Sequence, residues 1–275
     1  MQDIYSIVEK TGLIDDNLKK IIKRQVLIPY LDHFNTPSDY WYPHPPCFIP
    51  FFLGHGPSYK GLVHHFFCER SDTFAEYSLE GGFISEIAKN PAQWLTLIVL
   101  EMIMLKDGIT DEIVRFCNSA NYTDYGAVDA FSIDYGDDPK EFKNLIYFRE
   151  NIPARYVQNP DLYLGDFPST LSGINAGSLE NASIFEIAVP EQLTYIGSIP
   201  LWLDHSADKP SLFENYINKN MLREAWFTLN SKGWKPADTA AGLQKIAERT
   251  EDELFHLVSK NWIGSWKRSG NCIAP

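Results

Sequence analysis

Short apolar and alternating runs follow one another between residues 48 and 87. Four of them have the length and composition of β-strands, and they cover residues 48–53, 62–68, 73–79 and 83–87. The last two are separated by a short link that contains Gly81 and Gly82, which is typical of a hairpin. This pattern predicts an antiparallel sheet.

The longest apolar run covers residues 94–105 and is broken only by Thr96 and Glu101. Because the run is apolar on every side, it predicts a helix at the centre of the core. Asn90 and Pro91 precede it, and they are the residue types of a helix N-cap and a first-turn proline. The run is too short to cross a bilayer, which needs about 20 apolar residues.

The remaining pattern is mostly helical. Helices are predicted from Asp16, from Thr110, over residues 138–148, and from the capping boxes that begin at Ser211 and Thr250. Strands are predicted at residues 184–189 and 193–203, after a glycine- and proline-containing linker at 161–177. The fold class is therefore α+β, an antiparallel sheet packed against helices, with a more helical C-terminal half. We predict a first domain at residues 1–150 and an α+β extension at 151–275, either separate or packed with the first as one unit.

Candidate catalytic residues are few. His64, His65 and Cys68 form the most enzyme-like group, but on a strand the two histidines would face opposite sides of the sheet. His55 lies between two glycines, either as a catalytic base or as part of a turn, and Asp204–His205 follows an apolar run. The sequence has no nucleophile elbow, phosphate-binding loop or dinucleotide-binding motif. We expect no enzymatic activity; the alternative is a small hydrolase that uses His55 or His64.

The sequence also predicts no metal ion and no cofactor. The four cysteines lie far apart without a C-x-x-C pair, and residues 134–138 lack the spacing of a calcium loop. The first residues show no signal peptide, so we expect a cytoplasmic protein with free thiols.

Charge carries more information. The chain has a formal net charge of −12, which argues against nucleic-acid binding through a basic face and favours a cationic partner. Residues 107–139 contain eight acidic residues and one arginine, a net charge of −7, with tyrosines among them. Such a segment either keeps the protein soluble or docks a basic protein. The residues predicted to bind the partner are Asp129, Asp134, Asp137, Asp138 and Glu141.

Two segments of the first half resemble the SMI1/KNR4 (SUKH) superfamily. They are Phe48-Ile49-Pro50-Phe51-Phe52, before a glycine loop and paired strands, and Ile84-Ser85-Glu86-Ile87-Ala88-Lys89-Asn90, which leads into the helix at Trp94. The similarity covers roughly residues 1–118. It implies a non-enzymatic bacterial immunity protein that neutralises a cognate toxin by protein–protein contact, and it carries over no catalytic residue. Such toxins are frequently basic, so a basic toxin domain is the expected partner.

Overall fold

The computed structural model describes residues 2–12, 14–31, 41–54, 58–78, 83–157, 163, 200–202, 204, 206–231 and 233–269. Its four strands are β1 (Phe48–Leu53), β2 (Ser58–Val63), β3 (Thr73–Ser78) and β4 (Phe83–Ala88). The α-helices of the described residues are α1 (Gln2–Lys10), α2 (Asp16–Ile22), α3 (Pro91–Lys106), α4 (Asp111–Ser119), α5 (Tyr125–Tyr135), α6 (Lys209–Asn218), α7 (Leu222–Leu229), α8 (Pro236–Ala247) and α9 (Glu253–Arg268). Two 3₁₀ helices follow α5, at Pro139–Asn144 and Ala154–Tyr156. The predicted α+β class is confirmed.

The sheet is antiparallel with the strand order β1-β2-β3-β4, so each strand pairs with its neighbour in sequence. A bulge interrupts the β1–β2 register between Pro50 and Phe52, where Pro50 lies opposite Gly61. A Cβ atom at Gly61 would lie 2.2 Å from the carbonyl oxygen of Ile49. Glycine is therefore required here, because the backbones of the two strands approach too closely for any side chain.

Helix α3 packs on the sheet through Trp94, as the apolar run predicts. Trp94 is 2% exposed, and its ring centroid lies 4.4 Å from that of Phe74 on β3. Phe51 and Phe52 of β1 also contact it. Asn90 caps the first turn by accepting a backbone hydrogen bond at 2.9 Å, so the predicted helix start is confirmed.

The sheet also contacts the C-terminal helices. The indole N–H of Trp262, on α9, donates to the backbone carbonyl of His44 at 2.9 Å, and the ring of His44 packs on Tyr59 of β2. The backbone N–H of Cys47 donates to Asn230, at the end of α7, at 2.8 Å. One continuous hydrophobic core therefore contains residues from both halves of the described chain.

The prediction of a strand over residues 62–68 is wrong. β2 ends at Val63, and Phe67 has a φ angle of +64°, which an extended strand does not allow. The apolar run continues past the strand because Phe66 packs against Trp226 of α7 and Phe255 of α9. The expectation that His64 and His65 face opposite sides of the sheet therefore does not apply, because both residues follow the end of β2.

Other boundaries also differ from the predictions. The predicted helix over 138–148 is a shorter 3₁₀ helix, although Asp138 does cap it. The predicted caps Ser211 and Thr250 are replaced by Asp208 and Asp252. Residues 184–189 and the linker at 161–177 lie outside the described residues apart from position 163. Residues 201–202, at the end of the strand predicted over 193–203, form a turn.

Candidate functional site

The C-terminal end of α3 carries exposed apolar side chains beside α5. Met104 and Leu105 are 40% and 57% exposed, whereas the sequence predicts that the whole run is buried. Ile133 on α5 is 78% exposed. The hydroxyl of Ser132 lies 3.3 Å from the Met104 sulfur, so the two helices meet at this point. Exposed apolar side chains on adjoining helices are typical of an interaction surface.

The five predicted partner-binding acids lie on α5 and just after it. Asp129 and Asp134 are on α5, Asp137 and Asp138 follow it, and Glu141 is in the first 3₁₀ helix. Asp134, Asp137 and Asp138 are exposed, whereas Asp129 and Glu141 are half-buried. We call these five acids, together with Met104, Leu105 and Ile133, the α3–α5 surface.

Two of these acids already have local partners. Asp138 accepts the backbone N–H of Lys140 at 3.0 Å and so caps the 3₁₀ helix. Glu141 accepts a hydrogen bond from the side chain of Asn144 at 2.8 Å, and Lys143 lies 3.9 Å from it. These contacts fix the backbone of the turn, and they leave most of the negative charge of the surface in place.

The other three acids are not neutralised locally. Arg115 is the one basic residue in the sequence between positions 107 and 139, and it pairs with Glu112 at 2.9 Å. Within the described residues, Asp129, Asp134 and Asp137 form no ion pair. Unpaired acids beside exposed apolar side chains form a surface that attracts a positively charged partner and also provides apolar area that the partner can cover.

A cavity of about 320 Å³ opens beside this surface, between the sheet, α3 and the two 3₁₀ helices. Its aromatic lining includes Trp94, Phe142 and Tyr156. Met104 and Asp137 line the cavity and also belong to the α3–α5 surface, so the two features are continuous.

Two ion pairs stand in the cavity wall. Lys60 Nζ lies 3.0 Å from Glu101, which joins β2 to α3, and Arg155 pairs with Glu76 of β3. All four side chains are partly buried. Asp137 is the remaining charged group of the lining, so three carboxylates face two cations there. The sequence pattern does not indicate these four residues as a site; the signal for Lys60, Glu76 and Glu101 was a charged residue inside a strand or helix.

His64 forms the one histidine–carboxylate pair seen among the described residues. Its Nδ1 donates to Asp72 Oδ1 at 2.6 Å, and its ring packs edge-on against Phe66 at 4.5 Å. Both partners are partly buried. An aspartate at Nδ1 fixes the tautomer and leaves Nε2 able to accept a proton, which is the arrangement of a general base.

The other histidines have different surroundings. His65 is buried with its ring 5.3 Å from that of Phe227. His44 is buried among aromatic rings, and this burial lowers its pKa to about 4, so it stays neutral at physiological pH. His55 and His205 lie outside the described residues.

The described cysteines are free. Burial raises the pKa of the Cys117 thiol to about 12 and that of Cys47 well above its ordinary value. Because the thiolate is the reactive form, these two cysteines are structural rather than nucleophilic. Cys68 is partly buried.

Glu86 is a buried carboxylate on β4 that the sequence pattern alone does not mark as a site residue. It accepts hydrogen bonds from the hydroxyls of Thr73 and Tyr163 at 2.7 and 2.9 Å. The backbone N–H of Ala154 donates to it at 2.7 Å. Burial raises its pKa, and Lys89 opposes that shift. Glu86 therefore ties β4 to the segment that forms one wall of the cavity.

In the part of the chain that the structure describes, no three metal-ligating side chains are grouped to hold an ion. The described helices include none with the length and hydropathy of a membrane span. No protein-family model, curated protein or solved structure matches this chain, so its function has to be argued from the α3–α5 surface, the adjoining cavity and the His64–Asp72 pair.

Proposed function

We propose that the chain is a non-enzymatic binding protein whose α3–α5 surface docks a basic protein. The observation that carries this proposal is the group of unpaired acids, Asp129, Asp134 and Asp137, beside the exposed side chains of Leu105 and Ile133. A surface that served solubility alone would not need large apolar side chains among its charges. A docking surface uses the acids to steer the partner and the apolar side chains to bury area.

The most specific form of this proposal is a bacterial immunity protein that neutralises a cognate toxin in the cytoplasm. The resemblance of residues 1–118 to the SMI1/KNR4 superfamily supports it, because that superfamily contains such inhibitors. The net charge of −12 supports it independently, since many toxin domains that act on nucleic acids are basic. A basic toxin domain is therefore the partner that we propose.

Neutralising three of the acids is expected to slow association. In the variant Asp134→Asn, Asp137→Asn, Asp138→Asn, the association rate with the cognate toxin domain should fall about tenfold at low salt, because steering charges act on the on-rate. Asparagine can still cap the 3₁₀ helix at position 138, so thermal stability should be kept. Surface plasmon resonance at two salt concentrations measures the effect, and protection of toxin-expressing cells gives a second readout.

A matched control removes three acids elsewhere. Asp238, Glu248 and Glu251 are exposed on or beside α8, and Asp238→Asn, Glu248→Gln, Glu251→Gln gives the same change in net charge. If only the net charge mattered, both triple variants would slow association equally. Equal association rates for the Asp134/Asp137/Asp138 variant and the unaltered protein would mean that the partner docks elsewhere and would refute the proposal.

The His64–Asp72 pair favours a second candidate, a small hydrolase that uses His64 as general base. The two candidates differ in what His64→Ala should do. Under our proposal the variant protects cells as well as the unaltered protein, and its hydrolysis of p-nitrophenyl butyrate is the same. A saturable hydrolysis that falls about 100-fold in His64→Ala would instead favour the hydrolase.

A further inference from the structure

The cavity beside the α3–α5 surface is large enough to hold a partner side chain. An engineered apolar cavity of about 150 Å³ already binds benzene, and this cavity measures about 320 Å³. An arginine side chain is only slightly larger than benzene in heavy atoms. Met104 and Asp137 belong both to the cavity and to the α3–α5 surface, so a partner docked on that surface can reach the cavity.

The lining combines three kinds of group that suit one type of side chain. Leu97 and Met104 are apolar and can cover the methylene stem of a long cationic residue. The rings of Phe142 and Tyr156, with centroids 4.3 Å apart, can lie against its charged head. Asp137 supplies a carboxylate that no described cation neutralises.

The charge balance of the cavity also selects a cation. Lys60 and Arg155 are already paired with Glu101 and Glu76, so these four groups contribute no net charge. Asp137 then leaves the lining with a net charge of −1. An anionic group in the cavity would be repelled by this negative charge, whereas a guanidinium would neutralise it.

We infer that this cavity receives an arginine side chain of the basic partner, with the guanidinium held between Asp137 and the aromatic lining. Arginine suits it better than lysine, because a guanidinium is planar, stacks on rings, binds a carboxylate with two N–H groups and is less strongly hydrated. Arginine side chains in such central pockets often dominate the affinity of an interface. The inference rests on the proposed function, because it names the group by which the partner is anchored.

Blocked amino acids test this inference without the partner. N-acetyl-arginine methylamide, titrated into protein labelled with ¹³C at methyl groups and with ¹⁵N throughout, should shift the Met104 methyl signal and the Trp94 indole signal with millimolar affinity. The citrulline analogue has nearly the same shape but no charge, and it should bind at least about fivefold more weakly. Asp137→Asn should weaken arginine binding about fivefold and leave citrulline binding unchanged.

Asp238→Asn is the matched control, because Asp238 is exposed on α8, lies outside the α3–α5 surface and does not line the cavity. It should leave arginine binding within twofold of the unaltered protein. Equal binding of arginine and citrulline, equal effects of the two variants, or shifts confined to residues away from the cavity would each overturn the inference.

The two proposals fail in different ways. If the Asp134/Asp137/Asp138 variant loses toxin binding but arginine shifts no signal of the cavity, the proposed docking function is supported and the arginine anchor is wrong. If arginine binds with the predicted dependence on Asp137 but the triple variant binds and protects normally, the cavity is an arginine site and the proposed docking function is wrong.

Discussion

Replacing Trp94 by alanine is expected to lower the free energy of unfolding by about 3–5 kcal/mol, as for other large aromatic side chains removed from a core. Trp94 is the point at which α3 meets the sheet, and it packs against Phe51, Phe52 and Phe74. It also borders the cavity, so its removal would enlarge an existing space instead of allowing the core to close around a new one. Incomplete collapse of this kind places the loss toward the upper end of the range.

Urea denaturation followed by circular dichroism measures this loss. Leu105→Ala on the same helix is the control, because Leu105 is mostly exposed and its truncation should lower the unfolding free energy by less than about 1 kcal/mol. Similar losses for the two variants would mean that α3 is not held by the face that carries Trp94.

The elements that the sequence predicts best are those with local signals. Helix α3 has a cap, a first-turn proline and a continuous apolar run, and all three lie within 16 consecutive residues of the sequence. The β3–β4 hairpin likewise has a local signal, the short link with Gly81 and Gly82 between its two strands. Such signals act between neighbours in the chain, so they can be interpreted without knowledge of the tertiary structure.

The sequence-based predictions are wrong where contacts between residues far apart in the sequence determine the local structure. Phe66 and Phe67 continue an apolar run that looks like a strand, but they are apolar because they pack against Trp226 and Phe255. The sequence pattern did not predict helix α5, because the helix lacks a periodic polar face. Its Val128 and Phe131 are buried, so tertiary packing stabilises the helix without that pattern.

The predicted caps on α6 and α9 failed for a more local reason. Ser211 and Thr250 compete with Asp208 and Asp252, and each aspartate accepts the first-turn N–H instead. A carboxylate is favoured there because it also interacts with the positive end of the helix dipole. Sequence spacing alone does not separate two capping residues that lie within three positions of each other.

The candidate site divides along the same line. The acids of the site lie close together in the sequence, so the charge pattern predicts them. The sequence does not predict the cavity, because its charged residues come from two strands, a helix and a 3₁₀ segment: Lys60, Glu76, Glu101 and Arg155. These side chains come together only when the sheet and α3 have formed, so their spacing in the sequence does not predict that they are close in space.

Glu86 gives the second large expected effect. Glu86→Ala should lower the unfolding free energy by about 2–4 kcal/mol, because it leaves the buried N–H of Ala154 and the hydroxyl of Tyr163 without their acceptor. The loss of the hydrogen bond from Thr73 should cost less, because its hydroxyl also lies 3.1 Å from the carbonyl of Ala88 and can donate there.

Glu86→Gln should be much milder, because the amide can keep every contact. Its oxygen can accept from Ala154 and Tyr163, while its NH₂ group donates to Thr73 and the Thr73 hydroxyl donates to Ala88. The two variants therefore separate loss of the hydrogen bonds from loss of the charge.

The pH dependence follows from the raised pKa of Glu86, which burial causes. Between the ordinary value of 4.5 and the raised value, the folded protein holds this proton more often than the unfolded chain does, so stability falls as the pH increases. Glu86→Gln has no proton to lose and should lack this component. Unfolding free energies of the unaltered protein and the variant, compared from pH 4.5 upward, should therefore shift in favour of the variant as the pH rises. A difference that stays constant would mean that the folded protein does not disfavour the charged form of Glu86.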